Sequence, residues 1–351
     1  MVWWKFKRDR LAVVGGLVVA LYYVVCVGFP GFFSPYYVDN QSEFIQAPPQ
    51  TLHIRDQEGN FRLPFVYGYE EKLDPVQRLR SFVVDPSVTY PVTLFARGEP
   101  YRLLGLIPTN IHLFGTNAPE GHVFLFGTDT LGRDMFSRII YGGRLSLLLG
   151  LIGQIITLTL GSILGVASGY FGGTVDMIIQ RTVEFLSAFP AIPLLMALSA
   201  AIPPQWSPIA VYFMITLILA LLGWGGLARQ VRGMVLSLRE REYVLAAKSF
   251  GTGGWPIMMR HLLPNTMSHI IVIATLAIPG MILAETALSF LGLGLRPPLT
   301  SWGVLLQEVQ TSSVLRFAPW LLFPVPFVIL VIMAFNFLGD GLRDAMDPYS
   351  K

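Results

Sequence analysis

The sequence is poor in cysteine and in charge. Cys26 is the only cysteine among 351 residues, so no intramolecular disulfide can form and cysteine usage says nothing about the compartment. Charged residues make up 13% of the chain and hydrophobic residues 53%, whereas soluble domains carry about 25% charged residues. The formal net charge of +3 gives no reason to expect nucleic-acid binding. Composition therefore predicts a protein whose main solvent is lipid.

Motifs for nucleotide and metal chemistry are also missing. The sequence has no Gly-x-x-x-x-Gly-Lys-Ser/Thr phosphate-binding loop and no Cys/His cluster with zinc spacing. We therefore expect a chain that is not an enzyme, binds no metal, and contains no cofactor of its own. No internal repeat recurs at a fixed period.

Long apolar runs are abundant. A helix needs about 20 mostly apolar residues to cross a bilayer, and six stretches reach or approach that length. Because the count is even, both termini are expected on one side, and the fold is predicted to be an all-α bundle of six transmembrane helices. The predicted spans are residues 11–29, 145–171, 177–202, 209–227, 267–293 and 319–338.

Lysine and arginine set the orientation of these spans, because short connections rich in them stay in the cytoplasm. The two short loops assigned outside hold only Arg296 and Arg316. The sequence thus predicts a multi-pass membrane protein with both termini cytoplasmic. The alternative, a cleaved signal peptide at 11–29, would leave an odd number of spans. The segments assigned inside carry Lys5, Lys7, Arg8, Arg10, Arg181, Arg229, Arg232, Arg239, Arg241, Lys248, Arg260, Arg343 and Lys351.

A polar stretch at 30–141 separates the first two spans and is long enough for a small folded domain. Apolar residues alternate on both sides of the sequence Asp-Gln-Glu-Gly-Asn at 56–60, which predicts a β-hairpin. The same pattern around 97–100, with Val92 and Leu94 before it and Tyr101 and Leu103 after it, predicts a second. By the charge rule this β-containing insert is extracytoplasmic.

The connection at 229–265 carries the most informative pattern. Good helix formers run from Arg229 to Phe250, and Gly251 can supply a left-handed helix cap. Pro256 suits the first turn of a second short helix, and Pro264 marks the return to the membrane. We therefore predict a cytoplasmic helical hairpin, named here the coupling loop, in which small alanines let another protein approach the backbone.

The spacing of Ala246, Ala247, Gly251, Leu263 and Pro264 resembles the loop that defines importer permeases of the ATP-binding cassette class. Three further segments are similar to the dipeptide and oligopeptide permease C-type family. They are Gly-Thr-Asp-Thr-Leu-Gly-Arg-Asp at 127–134, Glu-Thr-Ala-Leu-Ser-Phe-Leu-Gly-Leu-Gly at 285–294 and Gly-Asp-Gly-Leu-Arg-Asp-Ala-Met-Asp-Pro at 339–348. The insert resembles a subgroup with an enlarged first loop.

The resemblance implies a type I importer permease for peptides that forms half of a translocation pathway in a bacterial or archaeal plasma membrane (inner membrane). Its implied partners are a second permease subunit, two ATP-binding subunits that hold ATP and magnesium, an extracytoplasmic solute-binding protein and the lipid bilayer. The sequence departs from the family at Leu245, where a glutamate is usual, and at His261. The implied ATPase-coupling residues are Glu242, Ala246, Ala247, Gly251, Arg260, Leu263 and Pro264.

Glu285 and the 127–134 segment each leave two interpretations open. Glu285 lies within the fifth predicted span, where it is either a pathway or gate residue or a hydrogen-bonded structural carboxylate. The 127–134 segment is either a ligand loop or a helix cap that anchors the second span. The glycine pairs Gly161 with Gly165 and Gly223 with Gly226 permit close helix packing in lipid.

The sequence divides into an N-terminus with the first span (1–29), the insert and interface segment (30–141) and a permease core (142–351) with its coupling loop (229–265). Two functions of another class remain open at this point. One is an ion-coupled secondary transporter, and the other is a scaffold whose insert is the working part. Oligosaccharides and metal chelates are alternative cargoes within the same family.

Overall fold

The computed structural model describes residues 2–56, 58–73, 80–118 and 120–346. Gln57, Asp347, Pro348 and Lys351, which the sequence predictions include, lie outside this range. The described chain forms two compact units. The first unit comprises residues 1–19, 148–288 and 330–351, and the second comprises 20–147 and 289–329.

Thirteen α-helices occur in the described part of the chain. Single π-helical turns continue α2 over Tyr23–Gly28 and precede α10 over Met258–Leu262. The helices are α1 Val2–Phe6, α2 Arg10–Tyr22, α3 Pro30–Phe33, α4 Met135–Phe171, α5 Gly173–Ser187, α6 Ala191–Ala200, α7 Pro208–Leu238, α8 Glu242–Ser249, α9 Gly254–Ile257, α10 Leu263–Phe290, α11 Trp302–Gln307, α12 Ser312–Phe317 and α13 Pro324–Met346.

Five helical segments in the described residues are long and apolar enough to cross a membrane, and six if one bent pair counts as a span. They confirm the first, second, fourth, fifth and sixth predicted spans. The five segments are Arg10–Gly28, Met135–Phe171, Pro208–Leu238, Gly254–Phe290 and Pro319–Met346.

The third predicted span, 177–202, is wrong as one continuous helix. The chain forms α5 and α6 instead, which meet at an angle of 86°. Pro190 is extended, with ψ of 125°, and stands immediately before α6. A proline also disfavours helical backbone in the residue before it, so the helix ends at Ser187. The two helices together are apolar enough for a span, so a hydropathy pattern alone cannot reveal the bend between them.

In the first unit, α4 and α7 pack at very short range through glycines. A β-carbon added at Gly165 would lie 2.7 Å from the carbonyl oxygen of Ala228 and 2.8 Å from Cβ of Val231. Gly161 makes the same kind of contact with Leu227. These contacts confirm the prediction for the first glycine pair, since only glycine lets the backbones approach so closely. In the second pair, no described atom lies within 4 Å of a β-carbon at Gly226.

The second unit contains the insert. Its strands are β1 His53–Arg55, β2 Phe61–Leu73, β3 Arg80–Pro91, β4 Thr93–Leu103 and β5 Ile107–Gly115. They form an antiparallel sheet in the order β1-β2-β3 and a separate β4-β5 hairpin. The first predicted hairpin is confirmed, because β1 pairs antiparallel with β2.

The second predicted hairpin is wrong in its turn. Residues 97–100 lie inside β4, where the pairing register with β5 shifts between Arg97 and Tyr101. The chain reverses at Leu104 and Gly105, which have φ of 51° and 75°. A left-handed glycine suits a tight turn, but the leucines on both sides conceal it in the sequence. Arg-Gly-Glu-Pro is therefore an irregularity of the strand.

Helix packing at Gly165 leads to a prediction. We expect Gly165→Ala to lower the free energy of unfolding by about 1 to 3 kcal/mol, because the added methyl group overpacks α4 against α7. The matched change Gly226→Ala meets free space and removes a helical glycine, so it should be neutral or stabilising. Thermal unfolding of the purified chain in mild detergent compares the two. Equal destabilisation by both changes would contradict the close packing.

Candidate functional site

The coupling loop folds as α7, α8 and α9 followed by the π turn into α10. The long helix predicted from Arg229 to Phe250 breaks at residues 239–241, so α8 is a separate helix. Gly251 has φ of 76° and ends that helix in the left-handed conformation, as predicted. Pro264 does not interrupt the helix, which continues from the preceding π turn into α10. That the chain returns to the membrane at Pro264 stays a prediction.

One side of α8 is anchored to the protein. Val244 is completely buried, and Ala247 packs against the same hydrophobic core. The ammonium group of Lys248 lies 5.2 Å from the centre of the Tyr170 ring, at the end of α4. Arg239, just before α8, donates a hydrogen bond from Nη1 to the carbonyl oxygen of Gly169 at 3.0 Å. Residues 244, 247 and 248 thus define the inner face of α8.

Four large apolar side chains in and next to α8 are exposed. Phe250 is 89% exposed, and Trp255 in α9 is 59% exposed. Leu245 and Tyr243 are also exposed. Sequence reasoning missed these four as functional residues, although aromatic side chains in a charged loop are a signal that could have found them. Large exposed apolar side chains are typical of a protein interaction surface.

The predicted coupling residues divide between these two faces. Glu242, Ala246, Gly251, Arg260 and Pro264 are exposed. Ala247 and Leu263 are half-buried and pack against the core of the first unit. The loop therefore brings five of the seven residues to its surface and uses the other two for anchoring.

The core behind the loop connects it to three long helices. Val244 in α8 and Ile257 in α9 are completely buried in one cluster with Leu262 of the π turn. The same cluster contains Val166 of α4. Close-packed cores transmit displacement because they contain little free space. Its remaining buried members are Leu227, Val231, Val235, Met258 and Ile270.

Charged contacts hold α5 beside α4 and α7 in the same unit. Arg232 of α7 donates from Nε and Nη2 to the two carboxylate oxygens of Asp176, both at 2.5 Å. Ser168 of α4 donates to the same carboxylate at 2.5 Å. Such paired hydrogen bonds to a charged group are the stronger kind. Asp176 thereby joins three helices near the coupling loop.

Glu285 lies in α10 and is completely buried. A carboxyl group inside a span is costly unless it faces protein or water, and its burial fits the expected protein environment. Its role as a pathway or gate residue stays a prediction.

In the second unit, the 127–134 segment surrounds a cluster of buried charges. Asp129 is fully buried and pairs with Arg133 at 2.7 Å and also with Arg138 of α4. Arg138 Nη1 contacts Glu308, in the connection between α10 and α13, at 2.6 Å. Thr130 donates to the other oxygen of Glu308 at 3.1 Å. Two cations and two carboxylates thus join this segment to a second connection within the same unit.

The end of the segment caps α4. Asp134 accepts a hydrogen bond at Oδ2 from the backbone N–H of Ser137 at 2.8 Å, three residues into the helix. Burial raises the pKa of the Asp134 carboxyl to about 7. Capping and ion pairing support the anchor interpretation of this segment.

Comparison with known proteins decides the family. The family of binding-protein-dependent transport system inner membrane components matches residues 159–350, which is more than half of the chain. The chain belongs to this family. The N-terminal transmembrane domain of oligopeptide transport permease C matches residues 1–49 of the permease. These matches confirm the resemblance to importer permeases of the C type.

Individual relatives agree. The oligopeptide transport system permease protein OppC of Haemophilus influenzae is 44% identical over 65% of this permease and 71% of its own length. The dipeptide transport system permease protein DppC of Bacillus subtilis is 44% identical over 66% and 71%. DppC of Lactococcus lactis is 33% identical over 99% of this permease and 89% of its own length. The last match includes the insert, which agrees with a subgroup that has an enlarged first loop.

The buried charges lead to a prediction. We expect Asp129→Asn to destabilise the permease by about 3 to 5 kcal/mol, because Arg133 and Arg138 would then lose their one fully buried carboxylate partner. The measurement is chemical unfolding in mild detergent, followed by tryptophan fluorescence. Glu70→Gln is the control, since Glu70 pairs with Lys72 at the surface and should cost about 1 kcal/mol or less. A loss as small as that of the control would contradict the anchoring role.

Proposed function

We propose that this chain is one of two permease subunits of an ATP-driven importer for peptides and that it forms half of the translocation pathway. The observation that carries the proposal is the coupling loop. Its spacing is that of the importer class, and it folds into a short helix with one anchored and one exposed face. Such a helix is suited to docking on a separate ATPase.

The peptide substrate is inferred from the relatives. Those described above are named for oligopeptide or dipeptide transport, and the Lactococcus lactis relative matches almost the whole chain. A full-length match at 33% identity extends the likeness to the insert, where permeases of this family differ in length. We therefore favour peptides over oligosaccharides and metal chelates.

The proposed assembly contains a second permease, two ATP-binding subunits and an extracytoplasmic solute-binding protein. The family description itself names a transport system that depends on a binding protein. ATP and magnesium would be held by the ATP-binding subunits, because this sequence has no phosphate-binding loop. In this scheme the permease is a transport component and performs no hydrolysis.

Docking would use the exposed face of α8 and α9. The family's usual glutamate is replaced by Leu245, which is exposed, so this contact is apolar here. Ala246 lets the partner approach the helix backbone, while Phe250 and Trp255 fill apolar pockets. Aromatic side chains in desolvated pockets contribute a large share of binding energy at interfaces. Glu242 and Arg260 would set the register at the rim.

Force would reach the bundle through the core behind the loop. Closure of the ATPase dimer on ATP binding pulls α8, and the buried contacts of Val244 and Ile257 pass that displacement to α4, α7 and α10. The bundle changes from inward-facing to outward-facing, and hydrolysis resets it. Rigid-body shifts of packed helices are a known form of such transitions.

Orientation follows the distribution of lysine and arginine. Both termini and the coupling loop would face the cytoplasm, and the insert at 30–141 would be extracytoplasmic. The positive residues concentrated in the coupling loop support this arrangement.

A docking prediction concerns Phe250. We expect Phe250→Ser to weaken retention of the ATP-binding subunits at least about tenfold, because the loss of an aromatic anchor costs about 2 kcal/mol or more. The measurement is co-purification from native membranes in mild detergent, with partners identified and quantified by mass spectrometry. Leu94→Ser is the control, since Leu94 in β4 is also well exposed but lies in the insert.

Three outcomes are distinguishable. Selective loss of the ATP-binding subunits in Phe250→Ser supports the docking face. Equal recovery in both variants contradicts that face but leaves the importer intact. Recovery of no ATPase and no second permease with the unmutated chain would contradict the importer itself.

A topology prediction uses the single native cysteine. Cys26 is buried, so a membrane-impermeant maleimide should label only introduced thiols. We expect Thr89→Cys in β3 to react in intact cells, and Ser249→Cys in α8 to react only after permeabilisation. Labelling in the reverse order would overturn the proposed orientation.

A further inference from the structure

An apolar groove in the first unit lies between the N-terminal segment and the last helix. Its volume is about 650 Å³, within the range of roughly 300 to 1,000 Å³ that is usual for ligand sites. Lys7 is the one charged residue in its described lining. The other lining residues are Trp3, Phe6, Val13, Gly16, Leu17, Leu338 and Leu342.

The floor of the groove is well packed. Phe6, Ala12 and Ala345 form a buried cluster, and a β-carbon at Gly15 would lie 2.7 Å from the carbonyl oxygen of Ala334. Asp9 caps α2 by accepting hydrogen bonds from the backbone N–H groups of residues 11 and 12. α1 is therefore held beside α13, with the groove between them.

The side of α2 that borders the groove is exposed and apolar. Leu17 on its rim is exposed, and so are Leu11, Val14 and Leu21 on the same helix. Spacings of three to four residues place these side chains on one face of α2. That face belongs to a candidate membrane span, so wherever a partner subunit leaves it uncovered it contacts lipid chains, and the same chains could enter the groove.

The end of the groove has the chemistry of a headgroup site. Trp3 and Trp4 are 66% and 63% exposed, as is usual for tryptophan at a membrane interface. Lys7 Nζ lies 5.0 Å from the centre of the Trp3 ring, and the Arg8 guanidinium carbon lies 4.2 Å from that of Trp4. Lys7 and Trp3 are both lining residues of the groove, so their contact holds one cation at its end.

The charges around this end favour an anion. The N-terminal segment carries four cations and one carboxylate, Asp9. The facing end of α13 adds Arg343 together with Asp340 and Asp344. The N-terminal segment and the end of α13 together carry five cations and three carboxylates, so their net charge is positive. Positive residues at a membrane surface attract anionic lipids by about 1 kcal/mol each.

We propose that this groove binds one anionic phospholipid, with an acyl chain along Val13, Gly16 and Leu338 and the phosphate at Lys7, the cation that lines the groove. The inference is independent of the transported substrate and of the ATPase contact. In this proposal the N-terminal segment binds the lipid, and the bound lipid stabilises the packing of α2 against α13.

The test uses the purified full chain in detergent with phosphatidylglycerol or phosphatidylcholine of identical acyl chains. Native mass spectrometry counts the lipid retained. We expect one phosphatidylglycerol to be retained in preference to phosphatidylcholine, and Lys7→Gln to reduce that preference about fivefold, which corresponds to about 1 kcal/mol. Arg97→Gln, which removes an exposed cation from β4, is the matched control and should leave the preference unchanged.

Gly16→Leu tests the groove itself. A β-carbon at Gly16 would meet Leu338 at 3.5 Å and Phe6 at 3.9 Å, which are ordinary contacts, so the larger side chain fills the groove and should abolish retention of either lipid. Equal retention of the two lipids by the unmutated chain would overturn the proposal. Unchanged retention in Gly16→Leu would overturn it too. If Gly16→Leu fails to fold, the comparison of Lys7→Gln with Arg97→Gln decides.

Discussion

The close approach of α4 to α7 is the contact on which the first unit depends. Glycines at 161 and 165 bring the two backbones together, and the buried valines that follow on α7 then reach α8 and α9. Without that approach the core behind the coupling loop would have a gap, and a displaced α8 would move alone. In a solvent as apolar as leucine, packing of this kind is the main source of helix association.

The second unit is organised by charge. A largely buried cluster of charges connects the start of α4 to the connection before α13. Its members are Asp129, Arg133, Arg138 and Glu308. Paired and hydrogen-bonded charges can be buried, whereas any one of them alone could not. The motif at 127–134 is therefore explained by its geometry: one aspartate serves the ion cluster and another caps the helix.

Patterns that depend on neighbours in sequence were predicted well. The positions of the apolar spans, the left-handed Gly251 and the first hairpin each depend on a short run of residues. The bend between α5 and α6, the true turn at Leu104 and Gly105, and the pairing of Asp176 with Arg232 were not predicted. A bend changes direction without changing hydropathy, leucines conceal a turn, and an ion pair between residues 56 positions apart depends on tertiary packing.

The exposure of Phe250 and Trp255 also has a physical consequence for the chain before assembly. In water their exposed rings form an apolar surface of the kind that chaperones and proteases recognise on unassembled subunits. A permease made in excess of its partners would keep that surface uncovered, and a completed transporter would hide it. If these side chains dock as proposed, the unassembled subunit would be recognised for degradation more readily than the assembled one.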